Sequence, residues 1–151
     1  MRVREKHTGG KGPTRSGAAA AEFAIILPVL VTIVLGCVDF GRFAYNYSAV
    51  TNAARAGAAH GIMNAYITAQ YANWRSNIQN AARDEMEQQT GYDRSKLTVI
   101  ASSIIETTGG QPNGLRRVHV DASYPFQTLV AWPGIPNNVT LRRVVEMRAI
   151  R

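Results

Sequence analysis

Residues 18–38, AAAAEFAIILPVLVTIVLGCV, restrict the possible folds of this chain more than any other stretch. As a helix these 21 residues would span roughly 31 Å, the thickness of a bilayer's hydrocarbon core. Glu22 is the only charge, near the start, and none occurs from Phe23 to Val38. Five basic residues precede the stretch (Arg2, Arg4, Lys6, Lys11, Arg15) against one acid, Glu5. Asp39 and an aromatic group follow it: Phe40, Phe43, Tyr45 and Tyr47. The positive-inside rule then places the N-terminus in the cytoplasm, the body beyond the membrane and the aromatics at the outer headgroup level. Two readings compete. A body of this size seldom encloses a helix apolar on all sides, and a cleaved secretory signal has a shorter apolar region in which a carboxylate is unusual. The expected organisation is a basic cytoplasmic leader at 1–17, a transmembrane helix at 18–38 and an extracytoplasmic domain at 39–151. Four Gly, one Pro and almost no large apolar side chains leave the leader nothing with which to build a core.

The net charge of +7 suggests a nucleic-acid binder until it is located. The leader holds +4 of it, and the remaining 134 residues carry twelve basic against nine acidic side chains. A basic footprint on the folded part is therefore not expected. Cys37 is the single cysteine, which excludes an internal disulfide and a multi-cysteine zinc site. His7, His60 and His119 lie far apart, and no metal, phosphate-loop, dinucleotide or nucleophile-elbow motif occurs. The expectation is a protein without cofactor or metal that is not an enzyme.

Glu22 is the polar residue that needs an explanation, because an ionised carboxylate costs about 2.5–3.5 kcal/mol at a membrane helix centre and less near its end. If the chain were cut after Gly17, the new amine of Ala18 would lie one helical turn before Glu22 and could neutralise it. Otherwise the side chain snorkels to the interface. Gly17 followed by AAAAEF, with Glu22 fifth and Phe23 sixth, resembles the processing site of type IV pilin precursors. The continuation resembles the TadE-like family of Tad/Flp pilus assembly proteins through Ala21-Glu22-Phe23-Ala24, Leu27-Pro28, Asp39-Phe40-Gly41-Arg42 and Thr51-Asn52-Ala53-Ala54-Arg55-Ala56-Gly57-Ala58. The resemblance is specific over residues 15–61. It implies a bacterial inner-membrane pseudopilin or minor pilin, cut by a prepilin peptidase between Gly17 and Ala18. Its implied partners are other pilin-like subunits and the Tad inner-membrane machinery, and its implied product a thin adhesive pilus. A rival reading takes Val34-Leu35-Gly36-Cys37 as a lipobox, which would make the body a lipoprotein. Glu22 and Pro28 inside such a signal, and a resemblance unbroken across Cys37, oppose it.

Beyond the apolar run, residues 39–62 can continue the helix, giving roughly 68 Å in all with a bend at Pro28. Small residues recur there, and Gly57 and Gly61 form a G-x-x-x-G pattern that lets another backbone approach, either a second chain or the protein's own sheet. Residues 65–90 predict a second helix from Tyr66, Ile67, Tyr71, Trp74, Ile78, Ala81, Ala82 and Met86, stopped by Gly91. Residues 96–106, 115–126 and 139–150 predict strands, the first two joined by a turn at Thr107–Gly114. On the last strand Val139, Leu141, Val145, Met147 and Ala149 share one face. The expected fold class is α+β: a long N-terminal helix, an amphipathic second helix and a three-stranded antiparallel sheet with one wet face, as in pilins.

Overall fold

A computed structural model describes residues 15–64, 66, 68–88, 92–108 and 111–149. The expected leader therefore lies almost wholly outside the described residues, as do Ile67 and Gly91. The first helix, α1, runs Arg15–Met63 without interruption. Its length follows from an apolar run joined to an alanine-rich one with few helix breakers. Pro28 lies inside it and supplies no N–H to the preceding turn. The Thr32 hydroxyl donates back to the Pro28 carbonyl at 2.8 Å.

The chain divides into two units at Val38/Asp39. In the first, every described side chain of residues 17–38 is exposed except that Gly36 is intermediate. Its apolar side chains point around the whole helix, from Phe23 at 59% exposure to Val34 at 62%. Water does not tolerate such a surface over this length.

The second unit is an α+β domain. From Asp39 onward α1 buries a face of small residues: Ala49, Val50, Ala53, Ala54 and Ala58. A second helix, α2, runs Tyr71–Glu87 and buries Trp74, Ile78, Ala82 and Met86 at four-residue spacing. It is shorter than the expected 65–90. Thr68–Gln70 forms a 3₁₀ turn, and Gln70 gives no side-chain cap. Without a capping side chain the sequence carries no local mark of where the helix starts.

Three strands complete the domain: β1 (Thr98–Thr108), β2 (Gln111–Gln127) and β3 (Asn138–Ala149). They pair antiparallel in the order β1-β2-β3. The first hairpin is longer than expected, because Thr108 pairs with Gln111 across what the sequence marks as a broad turn. The inner face presents Val99, Ala101, Val118, Val120, Ala122, Tyr124, Phe126 and Leu141 to the helices. On β3 the expected alternation is present: Leu141 is buried and Val145, Met147 and Ala149 half-buried. Val139 and Arg143 are exposed. On the outer face Arg142 Nε donates to both Asp121 oxygens, at 2.9 and 3.0 Å. These hydrogen bonds, opposed by partial burial, hold Asp121 below the usual carboxylate range. The resulting stability is present above the usual carboxylate pKa and is lost as pH falls through the lowered one. Arg142 is largely exposed, so solvent screens the pair and the effect is modest.

Candidate functional site

The residues singled out by sequence fall into two groups. Gly17, Ala18, Glu22 and Phe23 lie on α1 in the first unit, all exposed. Among the described residues, a Cβ at Gly17 would meet nothing within 4 Å. The first turn of α1 holds no acidic residue to offset the helix dipole. Ala18 precedes Glu22 by one helical turn, on the same side. Cys37 is exposed within α1.

Gly57 and Gly61 belong to the second unit and face α2. A Cβ at Gly57 would stand 3.3 Å from Ala82 Cβ, Ile78 Cγ2 and the Ile78 carbonyl oxygen. At Gly61 it would stand 2.8 Å from both Ile78 Cδ1 and Val118 Cγ1. The Gly61 carbonyl also accepts the Trp74 indole N–H at 3.2 Å. This glycine face is thus occupied by α2 and β2 of the same chain. Gly61→Ala is expected to destabilise the domain by about 1–2 kcal/mol, because overpacking against a fully buried β-branched side chain exceeds the helix-propensity gain near a helix end. Gly57→Ala should be close to neutral. Urea melts of the detergent-solubilised protein will check this, and equal midpoints for the two variants would refute the close approach at Gly61.

The spacing of Asp39 and Arg42 allows an i,i+3 pair, worth a few tenths of a kcal/mol if exposed. The structure gives Asp39 a different role. The residue is only 6% exposed, and its carboxylate is an acceptor for four groups. The backbone N–H of Leu129 donates to Oδ1 at 2.9 Å and that of Val130 to Oδ2 at 3.3 Å. The Trp132 indole N–H donates to Oδ2 at 3.0 Å, and Arg42 Nη1 to Oδ1 at 3.2 Å. Arg42 also lies over the Phe126 ring, 5.6 Å from its centroid, and Phe43 meets that ring edge-on at 5.6 Å. Together these contacts hold the loop between β2 and β3 against α1. No signal near Asp39 in the sequence identifies donors about ninety residues away. The only hint is a carboxylate directly after a long apolar run.

Among the described residues, no cluster of three or more His, Cys, Asp or Glu side chains is arranged to hold a metal ion. Among the described residues, the arrangement offers an exposed apolar helical segment at 17–38 and a small α+β domain with a buried core. Residues 17–59 match the family model described as TadE-like protein, which bears out the resemblance for that segment and leaves α2 and the sheet outside it. No curated protein and no solved structure gives a significant match to the chain.

Proposed function

We propose, from the TadE-like segment at residues 17–59, that this chain is a pseudopilin or minor pilin that takes part in assembling a Tad/Flp-type pilus. One observation carries the reading: the family match begins at Gly17 and runs through a helix long and apolar enough to cross a membrane. In this reading the chain spans the bacterial inner membrane once through residues 18–38. Residues 1–17 stay in the cytoplasm and are removed by a prepilin peptidase, and the domain from residue 39 lies beyond the membrane. Its partners are other pilin-like subunits and the Tad assembly machinery, and its contribution is structural rather than catalytic. The exposed apolar circumference of residues 17–38 supports this, because lipid, and later neighbouring helices in a filament, can cover every side of it.

Processing gives the direct test. A small residue before the cut lets the peptidase approach the backbone closely, so Gly17→Arg should leave the protein at precursor mass in cells that trim the wild type to an Ala18 N-terminus. Intact-mass measurement of both proteins reads this. Normal trimming of Gly17→Arg would remove the proposed site, and a lipid-modified Cys37 as the mature N-terminus would replace the pilin reading with a lipoprotein.

A further inference from the structure

The loop between β2 and β3, residues 128–137 (TLVAWPGIPN), carries no charge, and no charged residue occurs anywhere from Ala122 to Leu141. Surface loops are ordinarily polar. Here Leu129 and Ile135 are 62% and 58% exposed. The loop is also held in shape. Thr128 N–H donates to the Asn137 carbonyl at 3.0 Å and Ile135 N–H to the Trp132 carbonyl at 3.2 Å. Gly134 takes the positive φ of 81° that the turn requires. Asp39 accepts from the N–H groups of Leu129, Val130 and Trp132.

Two consequences follow. Pro133 and Pro136 have no N–H, and those of Thr128, Leu129, Val130 and Ile135 are already bonded, so half of the loop's eight amide donors are satisfied within the domain and fewer are left for the headgroups and their water to satisfy. In addition, Asp39 is the residue directly after Val38, the last of the proposed span. Backbone nitrogens of the loop lie 2.9 and 3.3 Å from its carboxylate. The headgroup layer is about 5–7 Å thick on each side of the hydrocarbon core, so groups bonded to Asp39 fall inside it. This placement depends only on chain continuity at Val38–Asp39 and on hydrogen bonds within the second unit.

We propose that the β2–β3 loop is a second membrane contact: Leu129 and Ile135 enter the lipid interface, and Trp132 lies at headgroup depth. The occupant of this apolar patch is the phospholipid surface itself. The proposal rests on the membrane anchoring proposed above for residues 18–38.

The test uses the full-length protein with Cys37→Ser and single cysteines carrying an environment-sensitive fluorophore. It is reconstituted at low protein-to-lipid ratio in vesicles of phosphatidylethanolamine and phosphatidylglycerol that contain nitroxide-bearing phospholipid. Leu129→Cys and Ile135→Cys report on the loop and Leu30→Cys on the anchor. Ile104→Cys is the distant control, because Ile104 pairs with Arg117, ten residues along β2 from Gln127 and so about 33 Å away. Positions 129 and 135 should show blue-shifted emission and lose several-fold more fluorescence to shallow nitroxides than position 104. Strong quenching at position 30 with control-level quenching at 129 and 135 overturns the proposal and leaves the anchor standing. A blue shift at 129 and 135 without quenching means a second copy covers the patch, and also overturns it. An unquenched position 30 refutes the anchor, and the loop proposal with it.

Discussion

Cells whose only copy of this protein carries Glu22→Gln are expected to insert it and process it at least partly, yet to assemble few pili. Glu22 lies one turn from Ala18 on an exposed stretch of α1, and cleavage after Gly17 would give Ala18 a cationic amine. In apolar surroundings such a pair is stronger than in water, because the effective dielectric is lower. Removing one partner of a buried pair costs about 3–5 kcal/mol, since the other charge is left uncompensated. At a membrane interface water reaches the site and the loss is smaller. Glutamine keeps the shape and hydrogen bonding and removes only the charge. Co-purification with pilin-like partners and counts of surface pili measure the outcome, while precursor mass separates assembly from processing. Wild-type pili from Glu22→Gln would exclude charge pairing. A precursor that stays uncut would assign Glu22 to peptidase recognition.

Asp39→Asn is expected to free the β2–β3 loop while leaving the sheet and α2 in place. Asparagine is a poor substitute here. Both carboxylate oxygens accept, and all four partners are donors. An amide NH₂ in place of either oxygen sets donor against donor, losing two hydrogen bonds and adding a repulsive contact. Hydrogen bonds to charged acceptors are among the stronger ones. Amide exchange at Leu129 and Val130 should therefore accelerate by on the order of tenfold or more, with little change at buried β2 amides such as Val118 and Val120. Exchange mass spectrometry on the full-length protein measures this. Unchanged protection at 129 and 130 would show that the hairpin closure alone holds the loop.

Much of this architecture is legible along the chain because its causes are local. Absence of charge from Phe23 to Val38 dictates a helix that water cannot cover, and alternation on β3 marks Leu141, Val145, Met147 and Ala149 as the core side, although Val139 in the same rhythm is exposed. The four-residue rhythm of Trp74, Ile78, Ala82 and Met86 marks the buried stripe of α2. The boundaries were less legible where local chemistry is silent. Gln70 does not cap α2, and the turn residues of Thr107–Gly114 permit a broader loop than the paired strands adopt.

What the chain alone leaves open are choices between distant partners. The G-x-x-x-G pattern at Gly57 and Gly61 offers close approach to any backbone, and only folding brings Ile78 and Val118 to 2.8 Å from where a Cβ would stand at Gly61. Asp39 is the clearest case. Its neighbours in sequence suggest a surface ion pair with Arg42, whereas its strongest contacts come from Leu129, Val130 and Trp132. Periodicity and propensity act over a few residues through backbone geometry and solvent. Which donors meet a carboxylate ninety positions away is set by how the sheet turns its β2–β3 loop back onto α1, and that is a property of the packed domain.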